Sequence, residues 1–164
     1  MTDPLTAWVL AAMVHWLPAS PAVVRARYEP IAEAITAATQ DPDEAAVLAA
    51  IAKWETGFRQ DAVGKLGERG AWQLMPPAPF GLRAQAREAR RRMLISYGLC
   101  GTLAKYASGS CFRGRVAAAR REGTAMGWLR EHPFHLWKFD ELNPGRVPAC
   151  LWEGVRAREL LALP

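Results

Sequence analysis

Histidine and cysteine are scarce in this chain, with three of each in 164 residues. That leaves little material for a metal centre. His132-Pro133-Phe134-His135 sets two imidazoles three residues apart, but the proline disrupts a helix there, and no Cys, Asp or Glu cluster joins them at metal-ligand spacing. Neither common glycine-rich phosphate loop is present, nor a nucleophile and base at a recognisable spacing, so nucleotide-dependent and triad chemistries lose their support. No apolar run is long enough to span a bilayer. The stretch from Leu5 to Leu17 is apolar but short, contains His15, and follows Asp3 where a signal peptide would carry positive charge. It reads as a short packed helix. With no internal repeat or low-complexity linker, residues 1–164 are expected to form one domain. A hydrophobic content of 51% is sufficient for one compact core. Acidic residues are outnumbered 16 to 21, and the net charge of +5 suits an acidic partner without naming it.

What is present is mostly helical pattern. A helix is expected from about residue 22 to 38. Asp41-Pro42-Asp43-Glu44 then combines an N-cap aspartate, proline at the first helical position and an acidic first turn. It opens a helix from about Pro42 to Thr56 that stops at Gly57. Residues 59–82, rich in glycine and proline, read as a loop or short irregular hairpin over a cleft. Helical pattern resumes from about Ala84 to Ala107, and again from Arg115 to Glu131 with interruptions at Gly123 and Gly127. A last helix is expected from about Ala149 to Leu163. The arginines Arg83, Arg87, Arg90, Arg91 and Arg92 read as a solvated face, with recognition of an anionic polymer as the sharper alternative.

Glu55 is the residue on which chemistry converges. Ile51 precedes it by four positions and Leu48 by seven, so all three share one helical stripe. The carboxylate is therefore expected to be partly buried at a helix C-terminus, where both burial and the helix dipole favour its protonated form. The plainer alternative is a solvated glutamate or a structural ion-pair partner. Three blocks favour the catalytic reading: Glu55-Thr56-Gly57-Phe58, then Gly67-Glu68-Arg69-Gly70-Ala71-Trp72-Gln73-Leu74-Met75-Pro76, then Tyr106-Ala107-Ser108-Gly109-Ser110-Cys111.

In this order and at these separations, the blocks resemble the signature of soluble-type lytic transglycosylases, a lysozyme-like family that cuts the glycan strands of peptidoglycan. The family's first block, Glu-Ser-x-Phe, carries the sole catalytic acid and base, a role that passes to Glu55, with Thr56 in place of serine. Its second, Gly-x-x-Gly-Leu-Met-Gln, maps onto Gly67, Gly70, Ala71, Trp72 and Gln73, and places Gln73 in the substrate groove with Trp72 on its floor. Its third, Ala-Tyr-Asn-Ala-Gly, maps onto Tyr106, Ala107, Ser108 and Gly109, with alanine where the family has a sugar-contacting asparagine. The run through Cys111 and Arg113-Gly114 looks like a variant found in phage and bacterial wall-degrading relatives. The resemblance covers about residues 44–112.

It implies a mostly α, goose-type lysozyme-like domain with a cleft and little or no β structure. Substrate contacts fall to Thr56, Gly70, Trp72, Gln73, Tyr106, Ser108 and Gly109. Neither metal nor cofactor is required. Glu55 would protonate the glycosidic oxygen between N-acetylmuramic acid and N-acetylglucosamine, then take the proton of the sugar's 6-hydroxyl to leave a 1,6-anhydro end. A hydrolytic muramidase on the same fold needs a second carboxylate, for which Asp61 and Glu68 are the nearby options. A non-catalytic wall-binding or virion structural protein is the third reading, motivated by Ala107. The expected partner is the peptidoglycan strand, with phage virion or tail proteins as a further option and nucleic acid set aside. The expected place of action is the periplasm or cell wall, reached by holin release or within a phage particle. Cys100 and Cys111 come within bonding range if the chain folds back, and closing so short a loop stabilises by about 3 kcal/mol in the chain-entropy model. Buried free thiols are the alternative, since Cys150 makes the count odd. Trp8, Trp16, Trp128, Trp137 and Trp152 are expected to fill the core.

Overall fold

A computed structural model describes residues 3–141, with side chains through residue 137. The chain is mostly helical, and no strand occurs among the described residues. Helix α1 (Pro4–Trp16) starts where Asp3 accepts the Thr6 N–H at 3.1 Å with proline in the first turn. From Leu5 to Val14 every residue is buried. A helix apolar all round can only sit inside, and α1 packs against α3 (Glu29–Ala38), α4 (Pro42–Thr56) and α8 (Phe134–Glu141). Among the described residues no helix is long and apolar enough to cross a membrane.

The expected helix over residues 22–38 exists as one helical path with a defect. A three-residue turn α2 (Pro21–Val23) passes into a π-helical stretch, Val24–Tyr28, before α3 begins. The cause is Pro30, which has no N–H for the carbonyl one turn back and crowds it. The side-chain amide of Gln60 supplies donors instead, to Ala26 O at 3.3 Å and Arg27 O at 3.2 Å.

Helix α4 has the boundaries read from its caps. Asp41 accepts from the N–H groups of Asp43 and Glu44, and Gly57 ends the helix in a left-handed conformation at φ +58°. Alanines 45, 46, 49, 50 and 52 are all buried, so neighbouring backbones approach closely. At its start, Glu44 takes both Nε and Nη2 of Arg90, at 2.6 and 3.1 Å, and the Thr39 hydroxyl at 2.5 Å. This fork holds α4 to α5 (Leu82–Cys100), and Arg90 lowers the Glu44 pKa.

Three expectations need correction or bounding. The helix expected over 84–107 is broken: Gly101, at φ +67°, returns its N–H to Tyr97 O, and a separate short α6 follows (Ala104–Ser108). Helix α7 (Arg115–Glu131) runs uninterrupted through Gly123 and Gly127. Those glycines weaken it by about 1 kcal/mol each, which packing against α4 overrides. Helix α8 lies where no helix was expected, and the one expected over 149–163 falls outside the described residues. Residues 57–81 form an irregular turn with isolated bridges Val63–Arg69 and Arg69–Leu74.

Trp8, Trp128 and Trp137 are buried and Trp16 is partly so, while Trp152 lies outside the described residues. Trp8 donates to His132 O at 2.8 Å, closing α1 onto the α7–α8 corner. Its ring meets Trp128 and Phe134 at 5.9 and 5.7 Å. His132 packs on Trp128, whereas His135 is exposed.

Trp72 is fully buried too, and donates Nε1 to Leu48 O of α4 at 3.0 Å. Trp72→Phe keeps most of the apolar burial but removes that hydrogen bond. It should lower unfolding stability by about 1–3 kcal/mol, read as a shift of the urea midpoint at unchanged slope.

Candidate active site

Glu55 lies in the last turn of α4, on the stripe of the fully buried Leu48 and Ile51, with its own side chain 19% exposed. It is not alone there. Arg121 of α7 donates Nη2 to Glu55 Oε1 at 2.5 Å. The neighbouring Trp54 fixes the same turn to α7 from outside: its Nε1 donates to Thr124 Oγ1 at 2.9 Å, and Lys53 and Arg120 sit over its ring.

The chain after Glu55 is held in a strained turn. Phe58 has φ +63°, unusual for a bulky residue. Its ring is buried against Tyr28 at 4.8 Å, and Arg27 donates to Gly57 O and Phe58 O at 2.7 and 3.3 Å. Both anchors come from the π-helical stretch.

Three distant segments meet at two successive peptide carbonyls. The Thr56 hydroxyl donates to Ala71 O, and the Tyr106 hydroxyl donates to Trp72 O, each at 3.0 Å. Gln73 follows at φ +47°, its amide turned onto Gly70 O and Ala62 O at 3.1 and 3.3 Å. Gly70 itself requires glycine: φ is +78°, and an added Cβ would meet the Gln85 side chain. Burial raises the Tyr106 pKa, and the negative charge of Glu55 adds to it.

A cleft of 390 Å³ opens beside this junction, lined by Gln73, Met75, Arg92, Lys105, Tyr106 and Gly109 among others. The structure thus brings Gln73, Tyr106 and Gly109 of the expected contacts into one hollow. Glu55 is not among its lining residues; it stands on the α7 side, bonded to Arg121.

Other expected contacts are placed differently. Trp72 is corrected from groove floor to core, because its indole is enclosed against α4. Thr56 is buried and its hydroxyl is consumed by Ala52 O, Ala71 O and the Arg59 N–H, so it ties the site together and does not face the cleft. Ser108 turns its hydroxyl back on Ala104 O and Ser110 O. Gly70 lines a second hollow of 340 Å³ with Asp61, Arg69 and Phe80. Arg121 escaped the sequence reading because, next to Arg120 in an arginine-rich helix, nothing marks it as the one that turns inward.

The segments that line the cleft are braced in two ways. Cys100 and Cys111 form a disulfide with a Cα separation of 5.3 Å, closing the segment that carries Tyr106 and Gly109. From outside that loop Ser96 accepts the Tyr106 N–H and donates to Thr102 O, while Glu122 accepts the Leu103 N–H. On the opposite wall, Glu88 pairs with Arg91 and Arg92, and Arg92 donates onward to Met75 O at 3.0 Å. Comparison with protein-family models, with curated proteins and with solved structures returns no match to the chain.

Removing the disulfide as Cys100→Ser/Cys111→Ser should cost about 3 kcal/mol of stability, measured by chemical denaturation. Glu88 gives a pH signature. Arg91, then Arg92, hold its carboxyl at about 2 against an ordinary 4.5, with burial opposing them. A depressed folded pKa means stability that is complete above 4.5 and lost as pH falls towards 2. Melting temperature should therefore fall through that window, and Glu88→Gln should flatten the fall.

Proposed function

We propose that the chain is a peptidoglycan lytic transglycosylase of lysozyme-like fold, with Glu55 as the single acid and base. The observation that supports this most is the junction at Ala71 and Trp72. The segments bearing Glu55, Gln73 and Tyr106, far apart in sequence, are hydrogen-bonded to one another there, and the latter two line one cleft. Those are the segments whose sequence resembles the family signature.

The surroundings of Glu55 also fit a one-carboxylate mechanism better than a two-carboxylate one. Its charged partner is a guanidinium. Glu68 is occupied by the Leu66 N–H at 2.9 Å, and Asp61 belongs to the hollow on the Gly70 side. Glu55 would give its proton to the oxygen between N-acetylmuramic acid and N-acetylglucosamine, then recover one from the 6-hydroxyl as that oxygen closes on C1. The net positive charge suits the carboxylates of the wall's peptide stems.

One observation favours a second reading. Position 107 is alanine, where the resemblance expects the asparagine that contacts the sugar, so a wall-binding or virion protein that has lost catalysis is the alternative.

Mass spectrometry of fragments released from purified peptidoglycan separates these. Anhydro-muropeptides are expected from the parent, with Glu55→Gln slower by on the order of 10²–10⁴-fold. Reducing ends would instead establish a muramidase. Binding without release would leave the non-catalytic reading.

A further inference from the structure

Two Glu–Arg pairs tie α4 to its neighbours, and they are built differently. At Glu44 both oxygens are engaged, one by two donors, in the manner of a structural clamp. At Glu55 only Oε1 is engaged, and Oε2 accepts no hydrogen bond from any described residue. The arginine is also different. Arg121 has a side chain 10% exposed, against 38% for Arg90. Its Nη1 donates to Ala117 O at 2.8 Å and its Nη2 to Glu55, while its Nε is buried with no partner.

Such a residue is a poor device for stability. A buried ion pair recovers its desolvation cost only when its geometry is good and the remaining donors are satisfied, and an apolar side chain of similar volume often does as well or better. An orphaned Nε adds to the cost.

We infer that Arg121 is the positioning residue of the acid–base step: by holding Oε1 it fixes the Glu55 carboxyl so that Oε2 alone handles the proton. The inference rests on the proposed function. In the reactive form Oε2 carries the proton and Oε1 accepts from Nη2. The proton passes to the glycosidic oxygen, the C1–O bond breaks with its electron pair leaving on that oxygen, and a 4-hydroxyl forms. Glu55 is now a carboxylate, and the guanidinium already in place balances its charge without reorganisation. Oε2 then takes the 6-hydroxyl proton while the 6-oxygen bonds C1. The proton is regained, so one carboxyl serves both halves.

The test compares Arg121→Met and Arg121→Lys with the parent, following fragment release across a range of peptidoglycan concentrations and thermal melting alongside. Arg121→Met should release anhydro fragments about 100-fold more slowly, with half-saturation unchanged. Arg121→Lys, which keeps the charge, should recover part of that rate. If Arg121→Met does not fold, Arg121→Gln replaces it with the same expectations. A folded Met or Gln variant at the parental rate overturns the inference alone, as does a loss confined to half-saturation, or a lysine no better than methionine. A parent that releases no fragments overturns the proposed function and this inference with it.

Discussion

The carbonyls of Ala71 and Trp72 are the hinge of the arrangement. A glycine- and proline-rich segment has no regular ladder to hold it, and residues 57–81 have only isolated bridges. Its position is set by side-chain hydrogen bonds: Thr56 on one carbonyl, Tyr106 on the next, and the segment's own Trp72 indole reaching back to Leu48 O. Because the two carbonyls are consecutive, the turn is tied at one point both to the end of α4 and to α6. The rest of the molecule can be understood as support for that junction. The alanine-lined α4 lets α1 and α7 close on it, the π-helical stretch clamps Gly57 and Phe58, and the disulfide fixes the far end of α6.

That support explains where irregularity is tolerated. Pro30 forces a defect into an otherwise ordinary helix, yet the widened turn is where Gln60 and Arg27 bond the chain beyond α4. The positive φ of Phe58 is sustained because the ring is buried and its carbonyl is bonded. Local strain of this kind persists only where the surroundings over-determine it.

Much of this is legible in the residues and some is not, for physical reasons. The ends of α4 follow from Asp41, Pro42 and Gly57, since caps are local chemistry. The break at Gly101 is harder, because an apolar pattern continues across it and only a left-handed glycine marks the stop. Gly123 and Gly127 suggest interruptions that tertiary packing overrides. Trp72 shows the limit of reading a motif position: sequence places it in the second block, but only the packing of α4 decides that its ring goes inward. Arg121 is the clearest case, since a long-range pair 66 residues apart leaves no local trace.

The state of Tyr106 narrows the chemistry further. Its phenol is held above its ordinary titration by burial, and Glu55, when ionised, pushes in the same direction. It is a neutral O–H at any working pH, and its hydrogen is directed to Trp72 O. It therefore cannot serve as a base, and to serve as an acid it would have to abandon the bond that positions the turn. On the proposed reading, Tyr106 shapes the cleft and leaves the proton to a single carboxyl. A site with one proton carrier and a fixed guanidinium behind it suits a reaction in which the nucleophile belongs to the substrate, because no second base is needed to activate water.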